Sequence, residues 1–337
     1  MKASAPGKVI LLGEHAVVYG RPALAVPVPQ IRAEAEVTRS PRAGIWIEAP
    51  DIGLQADLDT LGAEVPLAAL VRNLLAGFHL EPRPNLRIQV HSTIPVASGL
   101  GSGAAVAVAL TRAMAGALEV PLSDDQVSAY AFEIEKLHHG TPSGIDNTVV
   151  THARPILFAR GEPPEPLEVG APIAFVIGDT GIRAPTRAAV EDVRRLRDSD
   201  VPQWEAVFDA IRSLVMLARE CIQMGFITRL GPLLDQNQAI LQQLKVSSAE
   251  LDRLILAARK AGALGAKLSG GGRGGNMIAL VTDDTAQPVA AALLSAGAHR
   301  VIVATLDATS QAGRKPDLLQ SQSTTADGQH AASEKRR

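Results

Sequence analysis

The chain has 337 residues and a formal net charge of −2, from 33 basic and 35 acidic side chains, which excludes the basic field that draws nucleic acid. At 46% hydrophobic it can bury the core of one large domain or two ordinary ones, and its single cysteine, Cys221, excludes an internal disulfide and fits a reducing, cytoplasmic setting. The apolar run near the N-terminus is interrupted by Pro6, Gly7, Glu14 and His15. No stretch offers the roughly 18 uninterrupted apolar residues that cross a membrane.

Residues 5–20, APGKVILLGEHAVVYG, open on a strand-like apolar run begun by Lys8, and Glu14 and His15 follow a turn at Gly13. Taken alone, Lys8 reads as a solvated strand end and His15 as a core histidine. Residues 31–39 and 86–90 alternate apolar and polar, the pattern of half-buried strands. The second leads into PVASGLGSGAA at 95–105. Residues 104–118 are small and apolar nearly all round, which predicts an interior helix. Another helix is predicted over 123–139, capped by Ser123. In EIEKLHHGTPSGIDNTVV, 133–150, Asp146 is predicted in a loop after Gly140, Pro142 and Gly144, where a carboxylate serves catalysis or stabilises a turn. Glu135 and His138 are three apart and could share a metal, but no further ligands fall at zinc-like spacing. His138 and His139 therefore read as structural.

The proline- and charge-rich stretch 161–172 predicts a boundary between a domain of residues 1–165 and one of 166–308. A strand is predicted at 173–179 and a helix from Thr186. Over 205–222, Val207, Ile211, Leu214, Val215, Ala218 and Ile222 form an amphipathic stripe, with Cys221 beside it as a buried, inert thiol. A helix over 249–261 stops at Gly262. Strands at 276–283 and 300–306 bracket a helix over 286–297, so both halves mix α and β. Residues 309–337 are too polar to bury and are predicted to form a disordered tail, with RKP and EKRR as solubilising charge.

The glycine-rich stretches carry the functional signal. The loop at 95–105 lacks the Gly-Lys-Ser/Thr of a P-loop. It matches Gly-x-Gly-x-x-Ala at Gly99, Gly101 and Ala104, but without the acidic residue that a dinucleotide fold places about 20 residues on. What survives is general: amides of residues 100–104 at a helix N-terminus can converge on an anion, and an empty tight turn fits the loop equally well. The stretch KLSGGGRGGNM, 267–277, packs five glycines into six residues between a predicted helix and a strand. That density predicts close backbone approach to a ligand or a neighbouring loop.

Taken in order, APGKVILLGEHAVVYG, PVASGLGSGAA, EKLHHGTPSGIDN and KLSGGGRGGNMIAL resemble the GHMP small-molecule kinases, and within them the mevalonate kinases. The resemblance covers residues 3 to 306, and VIGDTGIRAPTRAAVEDVR, 176–194, is also similar. It implies an α+β fold: an N-terminal domain of the ribosomal-protein-S5 type and a ferredoxin-like C-terminal domain, with the site between them. It implies Ser92, Gly99, Leu100, Gly101, Ser102, Gly103 and Ala104 as ATP contacts. It further implies Glu135 as a Mg2+ ligand, Lys8 and Asp146 as the catalytic pair, and Glu14 with His15 beside mevalonate. Asp146 would orient the C5 hydroxyl and accept its proton, with Lys8 as its ion-pair partner. Such an enzyme needs ATP, mevalonate and Mg2+, and neither nucleic acid nor membrane; a homodimer is left open.

The chain departs from the family at Gly103, where the usual second serine supplies a magnesium-binding hydroxyl. Water, or Ser102, is expected to replace it. Arg273 stands where the family more often has glycine, and reads as an exposed loop arginine. Two rivals share these features: phosphomevalonate kinase or another GHMP kinase, and a nucleotide-binding sensor without turnover. GEHAVVYG and HGTPSGIDN lack the extra Lys or Arg that a phosphorylated substrate would need. A sensor would have no use for Lys8, Glu135 and Asp146 together.

Overall fold

The structure, a computed structural model, describes residues 1–80, 82–95, 98–139, 142–183 and 186–309, the side chains of 138 and 139 excepted. Two sheets organise it. The first takes β1 (Lys2–Leu12), β2 (Ala23–Arg39), β3 (Ile45–Ala49), β4 (Leu54–Asp57), β5 (Leu86–Ser92), β6 (Ile156–Phe158) and β7 (Glu165–Pro166). Its path runs β4-β3-β5-β2-β6-β7, with β1 paired to β2 and with β3 and β5 parallel. The alternation read at 31–39 is the outer half of β2, whose inner half is buried almost throughout. Such a run loses its period of two and is invisible to a pattern search.

Of the helices α1 (Pro66–Gly77), α2 (Ser102–Ala117), α3 (Asp124–His139) and α4 (Ile145–His152), α2 and α4 pack against this sheet, and α1 and α3 pack onto α2. Ten residues of α2 are buried, most of them alanines. A helix so lined can approach β1 and β2 closely because no long side chain holds it off. At the start of α3, Ser123 Oγ accepts from the Gln126 amide at 3.3 Å and Gln126 Oε1 accepts from the Ser123 amide at 2.9 Å, a reciprocal cap. Asp146 lies in the first turn of α4 rather than in a loop. Gly144, at φ 92°, absorbs the turn that the glycines and proline announce, and the helix begins immediately afterwards.

The second sheet holds β8 (Ile173–Asp179), β9 (Gly265–Ser269), β10 (Asn276–Val281) and β11 (Arg300–Leu306), wholly antiparallel in the order β11-β8-β10-β9. With α5 (Thr186–Ser199), α6 (Val201–Met224), α7 (Ile227–Gln243) and α8 (Ala249–Lys260) in the first crossover and α9 (Asp283–Ser295) in the second, this is an expanded β-α-β-β-α-β ferredoxin-like unit. On α6 the stripe is buried from Phe208 through Ile222, whereas Val207 and Cys221 flank it half-buried. Burial raises the Cys221 thiol pKa above its ordinary value, so it is a poor nucleophile although not fully enclosed. Residues 267–269 belong to β9, so the third glycine stretch joins two strands rather than a helix and a strand. Gly231 of α7 and Gly265 of β9 lie face to face: a Cβ on either would come within 2.1 Å of a backbone oxygen. Thr309, expected in the tail, is anchored by reciprocal bonds with Val169 at 2.8 and 2.9 Å. The rest of the expected tail lies outside the described residues.

Candidate active site

The site assembles around β1, because both the glycine loop and α4 pack on it. The Lys8 amide donates to the Leu100 carbonyl at 3.0 Å, which ties the loop to the strand. A bulge between Pro6 and Gly7 opens the β1–β2 ladder just before Lys8. The Lys8 side chain then runs beneath Gly101, where an added Cβ would sit 2.8 Å from Lys8 Cγ. It ends on Asp146, with Nζ to Oδ1 at 2.8 Å, the lysine buried and the aspartate about a quarter exposed. One ion pair thus joins the loop, the strand and α4. Its aspartate stays open to a ligand.

Gly101 caps α2 in the left-handed region at φ 76°, and no side chain caps the helix. The amides of its first turn, from Ser102 onward, have no intrahelical acceptor and point with the positive end of the dipole. Leu100 and Ala104 are buried, Ser102 and Gly103 half-buried, and Gly99 exposed. Ser92, at the end of β5, donates its amide to the Asp51 carboxylate at 2.6 Å, while its hydroxyl accepts from the Ile94 amide at 3.2 Å. Glu135 projects from α3 beside the ion pair and is almost fully buried. Burial, reinforced by the nearby Asp146 charge and opposed by Lys8, pushes its carboxyl pKa up to about 7.

Glu14 and His15 occupy the turn after β1 and face the second domain. Glu14 is fully buried, and both of its oxygens are engaged: Oε1 by Lys267 of β9, Oε2 by the Asn237 amide of α7 at 3.2 Å. Breaking such a buried pair from one side costs about 3–5 kcal/mol, because it strands a charge. His15 adopts φ 61° and is buried, with Nε2 3.1 Å from the Gly271 carbonyl. Burial is the largest influence on its pKa, which falls to about 4, with Arg273 and Lys267 pushing the same way against the Gly271 bond. The ring is neutral near pH 7, so the Gly271 contact assigns the proton to Nε2 and leaves Nδ1 a buried acceptor without a partner among the described residues.

The third glycine stretch closes the site from the second domain. A Cβ on Gly272 would lie 2.1 Å from the Val246 carbonyl, and one on Gly274 2.5 Å from that of Ile182. Close backbone approach is therefore what these glycines serve. Arg273 pairs with Asp192 and is about a third exposed. Asn276, at the end of the stretch, donates to the Ser98 carbonyl and so joins it to the first glycine loop.

A cavity of about 210 Å3 beside that loop is lined by Ser98, Asp179, Arg183, His299 and Arg300 among others. A larger one, about 960 Å3, lies on the open face of the first sheet among Lys2, Glu34, Glu36 and His91, and contains none of the candidate residues. Sequence reasoning missed Lys267, Asn237 and Asn276. Lys267 and Asn276 both stood in the quoted third stretch, but no local pattern says that a strand lysine will be fully buried against a glutamate 253 residues away.

The family signature described as GHMP kinases N terminal domain matches residues 67–153, and that described as GHMP kinases C terminal matches residues 218–299. The mevalonate kinase of Aeropyrum pernix is 38% identical over 293 residues, which cover 83% of this chain and 88% of that protein. The chain belongs to the mevalonate kinase family of GHMP kinases. A second relative, the mevalonate kinase of Pyrococcus horikoshii, is 37% identical over 82% of this kinase and 88% of its own length. Among solved structures, that of L. major mevalonate kinase in complex with R-mevalonate superposes with a TM-score of 0.81 at 29% identity, covering 92% of this kinase and 96% of that chain. This kinase is thus an ATP-dependent small-molecule kinase with the two-domain GHMP fold. No helix among its described residues is long and apolar enough to cross a membrane.

Proposed function

We propose that the chain transfers the γ-phosphoryl group of ATP to the C5 hydroxyl of mevalonate, giving 5-phosphomevalonate and ADP. The observation that carries the reading is the Lys8–Asp146 pair at 2.8 Å, held under the cap of α2 with its carboxylate still accessible. Phosphoryl transfer needs a positioned hydroxyl, an anion cradle and charge neutralisation in line. Asp146 orients the hydroxyl and accepts its proton. Lys8 faces the reacting oxygen from beneath the loop. The amides of residues 100–104 hold the phosphates, with Ser92 at the nucleotide's edge. His15, on the turn after β1, lies beside the substrate. Glu14 lies beside the substrate as the anchor of the turn, since both of its oxygens are already bound within the protein.

The residues present fit Mg2+. Glu135 is a buried carboxylate whose charged form is disfavoured by burial and by Asp146, and a divalent cation beside it would reverse that penalty. No three His, Cys, Asp or Glu among the described residues group to hold a metal. Mg2+ commonly takes one or two carboxylates and completes its shell with phosphate oxygens and water. Glu135 would hold it, with Ser102 or water supplying what Gly103 lacks. When bound, it neutralises charge on the phosphate oxygens.

Coupled ADP release with mevalonate, phosphomevalonate, galactose and homoserine tests the reading. Turnover with mevalonate well above the others is expected. Preference for phosphomevalonate would move the chain to that kinase, and tight ATP binding with no turnover on any of them would make it a sensor. The reading keeps residues 1–165 and 166–308 as the two functional units, in a cytoplasmic enzyme, and leaves a homodimer open.

A further inference from the structure

The second sheet turns one face toward the first domain, and on it β9 and β10 carry a short polar row. Lys267 and Ser269 alternate along β9, and Asn276 opens β10 directly opposite Ser269. Opposed residues of an antiparallel pair share a face, as do alternate residues of one strand, so all three point the same way. All are buried, and each bonds to a different part of the candidate site. Asn276 Nδ2 donates to the Ser98 carbonyl at the entry to the glycine loop. The Ser269 hydroxyl accepts from the Ile10 amide at 3.1 Å and donates to the Ile10 carbonyl at 3.0 Å, two residues beyond Lys8. Lys267 Nζ donates to Glu14, whose neighbour is His15.

We infer that this row positions the two halves of the site separately: Asn276 sets the nucleotide loop, and Lys267, acting through Glu14, sets the turn that carries His15. The inference rests on the proposed assignment of nucleotide to the loop and acceptor to the turn. None of the three residues touches reacting atoms; they are positioning residues. Their contacts do not overlap. One fixes a backbone carbonyl of the loop, another a side chain of the turn, and Ser269 pins β1 between them. Alternate residues of a strand stand about 7 Å apart, so a change at one end of the row leaves the bond at the other in place. A rigid interface that merely glued the domains together would instead lose both halves together.

Isothermal titration of wild type, Asn276→Ala and Lys267→Met tests this, with the magnesium complex of a non-hydrolysable ATP analogue and, separately, with mevalonate. Asn276→Ala is expected to weaken nucleotide binding about tenfold, roughly the worth of one hydrogen bond to a site element, with mevalonate affinity within about twofold. Lys267→Met is expected to do the reverse. Because Lys267→Met strands the Glu14 carboxylate, the double variant Lys267→Met/Glu14→Gln accompanies it. It should recover the melting temperature but not the mevalonate affinity. Equal losses of both affinities in either single variant, no loss in either, or recovery of mevalonate binding in the double variant would each overturn the inference. A wild-type chain that binds the nucleotide and not mevalonate would overturn the proposed function instead, and the Asn276 arm would still decide its half.

Discussion

At Glu135 and His15 the side chains have been moved away from their ordinary ionisation in opposite senses, and the consequences for pH can be separated. The Glu135 carboxyl titrates at about 7 in the fold against 4.5 in the unfolded chain. The folded state therefore holds its proton more tightly, and stability is lost as pH rises from about 4.5 to 7, with a ceiling of about 3 kcal/mol from the shift. Glu135→Gln should accordingly raise the melting temperature of the ligand-free chain by several degrees at pH 8, and by little at pH 4.5. Thermal melts across that range check this. His15 runs the other way. With a folded value near 4 against 6.5 unfolded, stability is lost as pH falls through that window. His15→Gln should flatten the acid side of the melting profile, while Glu135→Gln steepens it by removing the opposing slope.

At the scale of elements, the glycine loop works because two backbones and one side chain share little space. Gly101 supplies the left-handed cap and leaves room for the Lys8 stem. Gly101→Ala meets both constraints at once: about 1–2 kcal/mol for a Cβ in the left-handed region, and a clash with Lys8 Cγ. The lysine is the flexible partner and will move, which draws Nζ off Asp146. A lower melting temperature together with a fall in kcat of tenfold or more is expected, from melts and steady-state kinetics on the same preparation. Glycine spacing and helix capping made this loop legible in the sequence, and the third stretch likewise announced close backbone approach. The helical setting of Asp146 was hidden because α4 is only eight residues long and starts straight after turn residues. The buried inner half of β2 has no alternation, β3 and β4 are too short to read, and α7 places polar Asn237 and Gln238 on its buried stripe with Pro232 inside it.

For the molecule as a whole, ordered motifs identified the family and hence the fold, and local periodicity supplied elements of both sheets. What local reasoning could not reach was the join between them. Glu14 with Lys267, Ile10 with Ser269 and Ser98 with Asn276 are each separated by more than 170 residues. No window of sequence encodes such pairings, although the bonds from Lys267 and Asn237 are what commit both Glu14 oxygens to the scaffold. In the proposed mechanism Asp146 is the one proton acceptor between the two domains. The most direct test of that role is kcat of Asp146→Asn at saturating ATP and mevalonate, with both affinities measured alongside. The neutral amide keeps the side chain's shape and the fold, but it can neither accept the hydroxyl proton nor pair with Lys8. A loss of about 10² or more in kcat, with both substrates still bound, is predicted. A variant that turns over near the wild-type rate would contradict the account.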